Sequence, residues 1–116
     1  MIDSFSNKQD DNKCINFKTK NLVESLKRKN YIESKIVEDV ICSLDRKKFM
    51  KNKSNEYESY LDKDIYIGYG ATMSSIKIHS FILEKLQNKI SRYDRHYRMN
   101  LMILGSGSGY LYNMIK

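Results

Sequence analysis

The sequence predicts an α/β chain in which paired helices lead into the first unit of a parallel sheet. Three observations carry that expectation. Apolar residues recur at helical spacing through 22–44 and again through 78–90. Four apolar residues, Leu101-Met102-Ile103-Leu104, stand in a row, and the row runs straight into Gly105-Ser106-Gly107-Ser108-Gly109. A continuous apolar run bounded by glycine reads as a strand covered on both faces, the habit of parallel sheets.

The chain has 116 residues, enough for one small domain and too few for tandem repeats. Its net charge of +7 is carried by 16 lysines against 5 arginines, beside 10 Asn and 13 Ile. That skew reads as solvated surface lysines rather than a dedicated basic site. Two cysteines, Cys14 and Cys42, are too few for a disulfide-stapled scaffold and are expected as free thiols. No apolar run approaches the ~18 residues of a membrane span, and 1–20 holds no apolar signal region. The expectation is a soluble cytoplasmic protein without metal ligands.

Residues 1–20 are polar, with Ile2, Phe5, Ile15 and Phe17 isolated, and read as a flexible arm. From Asn21, Leu22, Val23 and Leu26 mark one face of a short helix that stops near Lys29 and Asn30. Ser34 is placed to cap a second helix carrying Ile36, Val37, Val40, Ile41 and Leu44. Residues 51–58 lack periodicity and read as a polar loop. The stretch 60–70 reads as extended, with Ile65 and Ile67 at period two and Gly68 and Gly70 permitting a turn. Ser74 or Ser75 then caps a long helix whose apolar residues are Ile78, Phe81, Ile82, Leu86 and Ile90. Residues 91–98 interleave arginine and tyrosine, which could stack on a nucleic-acid strand but reads more simply as a solvated connector. After Gly109, Tyr110, Leu111 and Met114 begin a last helix.

Strand, glycine loop, helix is the informative motif. Glycines at alternate positions let the backbone turn sharply and let a ligand approach without Cβ clashes. The next helix offers its amides to that ligand. The third glycine comes two residues after the second, not three as in the dinucleotide fingerprint, and the Gly-Lys-Ser/Thr ending of a phosphate loop is absent.

A G-x-G-x-G after a strand resembles the signature of S-adenosylmethionine-dependent methyltransferases. The chain from about residue 21 to 110 resembles the N-terminal half of the protein-L-isoaspartate (D-aspartate) O-methyltransferase family. Residues 21–27 resemble that family's first helix. Residues 35–40 and the Asp45-Arg46-Lys47-Lys48-Phe49 turn resemble its second helix and the turn after it. Tyr60-Leu61-Asp62, Ile67-Gly68-Tyr69-Gly70-Ala71-Thr72-Met73-Ser74 and His79 follow in the family's order, and residues 104–110 match its glycine loop almost letter for letter.

The resemblance implies a fold of N-terminal helices plus the first strand–glycine loop–helix of a Rossmann-like S-adenosylmethionine-dependent methyltransferase domain, here truncated. It divides the chain into the arm at 1–20 and the methyltransferase portion at 21–116. It implies methyl transfer from S-adenosylmethionine to the carboxyl of L-isoaspartyl residues in damaged proteins, a protein repair activity. By resemblance Ser74 orients the substrate carboxylate, while Ala71, Thr72, Met73, Ser74 and His79 touch the cofactor. Gly105, Ser106, Gly107 and Gly109 wrap its methionine and ribose portions. Isoaspartyl-containing proteins and peptides are the expected partners of a monomer, with neither membrane nor nucleic acid involved.

The sequence departs from the family at four places. Ile103 stands where the broader class carries an acidic residue, and Gly70 stands where the family has Gln. Ile76 and Lys77 replace its Pro and first His, and 51–58 is lengthened. The acidic residue that holds the ribose hydroxyls normally lies ~20 residues past the glycine loop, and 7 residues follow Gly109. The expectation is a fragment inactive alone. Two other readings stay open: a different S-adenosylmethionine-dependent methyltransferase, for instance on nucleic acid, and a non-catalytic basic helical binding module.

Overall fold

A computed structural model describes residues 14–50, 53–93 and 98–116. Helix α1 spans Phe17–Arg28 and opens on Asn16, whose side-chain oxygen accepts from the Thr19 amide at 2.7 Å. The helix therefore takes in 17–20, the last four residues of the expected arm; residues 1–13 of the arm lie outside the described residues. Lys27 and Arg28 close α1, where cations complement the helix dipole. Asn30 follows at φ 62°, which turns the chain toward α2 (Lys35–Ser43). Ser34 caps α2 as expected, its hydroxyl accepting from the Val37 amide.

The two helices bury Leu22, Val23 and Leu26 against Val37, Val40 and Ile41, the core around which everything else is laid. The cysteines are not free thiols. Cys14 and Cys42 form a disulfide, and the Ile15 amide donates to the Cys42 carbonyl at 2.8 Å beside it. A chain segment brought alongside the end of α2 places the two side chains together, which their separation of 28 residues did not reveal.

A 3-10 turn at Arg46–Phe49 is capped by Asp45. Instead of a structureless loop, a second 3-10 helix covers Lys53–Tyr60. Strand β1 (Ile65–Gly68) then pairs antiparallel with β2 (Ala71–Met73), in the register Ile65 with Met73 and Tyr66 with Thr72. Tyr69 and Gly70 both have positive φ, 53° and 73°, the signature of a two-residue type I′ turn. The hairpin was only half legible, because Ala71 and Thr72 are small, polar in context and exposed.

Helix α3 (Ile76–Ile90) begins at Ser75, whose hydroxyl accepts from Ile78 N, while Asp64 and Asp62 accept from the Ser75 and Lys77 amides. Three oxygens thus satisfy amides that a helix start leaves open. Its buried face is Ile76, His79, Ser80 and Leu83, not the expected Ile78, Phe81 and Ile82, which are exposed. The helix was placed correctly and its face was not. Ser80 is small enough for close packing and satisfies its hydroxyl on the Ile76 carbonyl at 2.8 Å, so the apolar count misled.

Residues 98–104 form no strand. Leu101, Met102 and Leu104 are exposed, because a parallel strand needs neighbours and none lies beside this one among the described residues. Helix α4 (Tyr110–Ile115) nevertheless docks, burying Tyr110 and Met114 in the core. No helix among the described residues is long and apolar enough to cross a membrane.

Candidate functional site

The glycine loop and the β-hairpin meet. Ser108 Oγ donates to Met73 Sδ at 3.3 Å and accepts from the Tyr110 amide at the same distance. A cleft of about 500 Å³ opens beside this contact, with Ile67, Gly68, Tyr69 and Ala71 on one wall, Gly107 and Ser108 on another, and Lys48, Phe49 and Met50 between them. A second groove of about 540 Å³ lies on the other side of the loop, lined by Leu101, Ile103, Ser106, Gly109, Tyr112, Ile115 and Lys116.

The loop's shape follows from its glycines. Gly105, Gly107 and Gly109 have φ of 72°, 56° and 84°, a region costly for side-chain-bearing residues. A Cβ at Gly105 or Gly107 would meet nothing within 4 Å, so the backbone itself stands open to a ligand.

Behind the cleft lies a buried charge. Arg46 is 2% exposed, and its guanidinium donates to the carbonyls of Leu61 at 3.0 Å, Lys63 at 3.3 Å and Ser74 at 2.7 Å. Burial lowers its pKa, opposed by Tyr110, Asp62 and Asp64. Tyr110 sits 6.0 Å from the guanidinium, and its ring packs against Phe49 at 5.2 Å and His79 at 5.4 Å. Burial, reinforced by Arg46 and opposed by Asp64, depresses the His79 pKa to about 4. The imidazole is therefore neutral at ordinary pH. Beside Arg46, Asp45 accepts from the Tyr60 hydroxyl at 2.9 Å, and burial with that bond raises the Tyr60 pKa.

The expected site residues divide between these surroundings. Ala71 and Gly107 line the first cleft, and Ser106 and Gly109 line the second. Met73 and His79 are buried as support. Thr72 is exposed and paired with Tyr66, and Gly105 is exposed at the loop's start. Ser74 is half-buried at the end of β2, its carbonyl held by Arg46. The motifs give no role to Arg46 or Tyr110; the Asp45-Arg46 pair directly after a helix is the available signal.

Comparison with known proteins adds a family. The family model for protein-L-isoaspartate (D-aspartate) O-methyltransferase matches residues 17–116. The chain belongs to this family. Among its relatives, protein-L-isoaspartate O-methyltransferase 2 of Arabidopsis thaliana is 39% identical over 90 residues, which are 78% of this chain and 26% of that protein. A protein-L-isoaspartate O-methyltransferase of Methanococcus maripaludis is 36% identical over 89 residues, 77% of this chain and 38% of that protein. A crystal structure of a Plasmodium falciparum protein, titled as a putative member in complex with S-adenosyl-L-homocysteine, superposes with a TM-score of 0.63 at 28% identity. It is matched over 84% of this chain and 40% of its own. The chain thus spans about a quarter to two fifths of these family members, and its fold is the corresponding piece of a Rossmann-like methyltransferase.

A nucleoside donor of the family's kind asks two things of this site. The first is an open loop, and Gly105 and Gly107 supply it. The second is a carboxylate for ribose hydroxyls, and among the described residues no Asp or Glu lines either cleft flanking the loop. The residues present fit one part of such a ligand.

Proposed function

We propose that this chain serves an S-adenosylmethionine-dependent protein carboxyl O-methyltransferase acting on L-isoaspartyl residues, and that the 116 residues do not form a complete site alone. The observation that carries the reading is the junction of hairpin and glycine loop through Met73 and Ser108, which places one cleft between the two motifs.

The chemistry asks little of side chains. An isoaspartyl carboxylate is ionised near neutral pH, so no strong base has to remove a proton. The bound donor supplies an electrophilic methyl group; the protein's contribution is alignment. Ser74 would donate a hydrogen bond that orients the substrate carboxylate, from a backbone that Arg46 holds in place. Ala71, Thr72 and Met73 would shape the donor side of the hairpin. Gly105, Ser106, Gly107 and Gly109 would present backbone to the donor's methionine and ribose portions. His79, neutral and packed on Tyr110, would keep the hairpin seated on the helix behind the loop. The partners are isoaspartyl-containing proteins and peptides met by a cytoplasmic monomer.

Calorimetric titration of the 116-residue chain with S-adenosylmethionine, alongside methyl transfer to an isoaspartyl peptide, tests the reading. No micromolar binding and no transfer are expected, since no carboxylate side chain among the described residues lines either cleft. Micromolar binding with transfer would overturn the claim of incompleteness. The basic–aromatic segment that could have favoured a nucleic-acid substrate lies partly outside the described residues, at 94–97.

A further inference from the structure

Two cysteines that stand 28 residues apart in the chain meet where α1 begins and α2 ends. Cys42 is 8% exposed within the core cluster, whereas Cys14 is half-buried and packs against that cluster from outside. A small thiol can therefore reach the Cys14 sulfur far more readily than the Cys42 sulfur. The sequence holds no other cysteine, so neither has a competing partner within the chain. In a reducing compartment such bonds are as a rule transient, and those open to exchange are the regulated ones.

The groups next to the bond lead toward the hairpin. Asn16, two residues after Cys14, caps α1 with its side-chain oxygen and turns Nδ2 toward the Tyr60 hydroxyl at 3.5 Å. Lys18 lies over the Tyr60 ring at 5.5 Å. The Tyr60 hydroxyl donates to Asp45 Oδ1 at 2.9 Å, and the same oxygen accepts from the Lys47 amide, fixing the turn that carries Arg46. Arg46 in turn holds the Ser74 carbonyl. Cys42 itself stands three residues ahead of Asp45. The bond thus secures the route at two points, Asn16 against Tyr60 and the end of α2 against the Asp45 turn.

We propose that Cys14 and Cys42 form a reversible redox clasp that orders the Asp45–Arg46 turn and, through it, the peptide group between Ser74 and Ser75. Closure needs an oxidant, and a low-molecular-weight disulfide of the glutathione kind supplies it. The Cys14 thiolate attacks one sulfur of that disulfide, forming a mixed disulfide and expelling one thiolate. The Cys42 thiolate then attacks Cys14 Sγ, forming the internal bond and expelling the second thiolate. The two cysteine protons end on the two released thiols, and one electron pair passes from the protein to the oxidant. Reduction runs the same steps backward, starting at Cys14 Sγ. The bearing of the clasp on catalysis rests on the proposed role of Ser74; the clasp itself does not.

The test equilibrates the full 116-residue chain in glutathione buffers of graded reduced-to-oxidised ratio. Trapped thiols are read by mass, and amide exchange by NMR. Wild type is expected to pass from dithiol to disulfide within the series. The amides of Thr19, Lys47 and Ser75 should exchange about tenfold faster or more in the dithiol form, with Val37 at the far end of α2 unchanged. Cys14→Ser should show the faster rates in every buffer. Tyr60→Phe should keep the disulfide while Lys47 and Ser75 stop responding to the buffer; if it does not fold, wild type against Cys14→Ser decides alone. A bond that stays closed or open across the whole series would overturn the proposal. So would Lys47 and Ser75 rates that ignore its state, or a folded Tyr60→Phe that responds as wild type does. None of these readouts uses substrate, so a protein without methyl transfer would count against the proposed function and leave the clasp standing.

Discussion

The shortest hydrogen bond from the buried guanidinium of Arg46, 2.7 Å, ends on the carbonyl of Ser74. A charge buried at the start of a 3-10 turn thereby sets the backbone of Ser74, the residue we propose to orient substrate. The same side chain holds the carbonyls of Leu61 and Lys63, which frame Asp62. Asp62 in turn caps α3 through the Lys77 amide. One cation ties the turn, the connecting loop and the hairpin's end together.

Arg46→Met should therefore do more than remove a charge. It leaves three carbonyls without this donor and should lower stability by about 2–4 kcal/mol, the range for charged hydrogen bonds in a buried network. Urea unfolding measures it. Arg46→Lys should recover part of the loss, since an ammonium reaches fewer of the three acceptors. Equal stability of wild type and Arg46→Met would count against this role.

His79 should make stability fall with acid. Its pKa, ordinarily 6.5, is about 4 in the folded chain. Between these values the unfolded chain binds a proton that the folded chain refuses. The contribution is thus complete above about pH 6.5 and declines as pH falls toward 4, by at most about 1.4 kcal/mol per pH unit. The difference in unfolding free energy between wild type and His79→Gln should shrink steadily from pH 7 to 4.5. A difference constant across that window would show that His79 titrates normally.

Glu84 links two helices that the sequence pattern treated separately. One carboxylate oxygen on α3 accepts from the Glu33 amide, the Ser34 amide and the Ser34 hydroxyl at 2.9, 2.9 and 3.1 Å, just ahead of α2. Glu84→Ala should cost about 1–2 kcal/mol. Faster amide exchange at Glu33 and Ser34 should accompany the loss, and unchanged exchange there would contradict the link.

Gly107→Ala should separate folding from binding. The added methyl meets no atom within 4 Å, so the cost is the positive φ alone, about 1–2 kcal/mol. Its effect on donor binding in an assembled enzyme should be larger, about tenfold or more, because the methyl projects where a ligand must approach backbone. Differential scanning calorimetry and ligand titration on the same variant resolve the two.

Local chemistry was the most legible part of the sequence. Ser34 caps its helix as expected and Ser75, one of two candidates with Ser74, caps the other, because capping depends only on the next turn. The glycine loop was readable for the same reason. Whatever depends on distant partners was less so. Helix α3 turns its richer apolar side, Ile78, Phe81 and Ile82, away from the core, since fit against α2 favoured Ser80 and Leu83. The four residues 101–104 have a strand's composition without a strand's neighbours among the described residues. Ala71 and Gly107, two residues of the motifs, line the cleft beside the hairpin. The Arg46–Ser74 bond could not be anticipated, because 28 residues separate them.

We propose that these residues form the hairpin and glycine-loop part of an isoaspartyl methyltransferase. This is tested most directly by a chimera in which residues 17–116 replace the matching portion of the Methanococcus maripaludis relative. Labelled methyl transfer from S-adenosylmethionine is then read on paired isoaspartyl and aspartyl peptides. Transfer is expected to the isoaspartyl peptide alone, reduced about tenfold or more by Ser74→Ala, a loss of at least about 1.4 kcal/mol of transition-state stabilisation. A folded chimera that transfers to neither peptide, or to both equally, would contradict it.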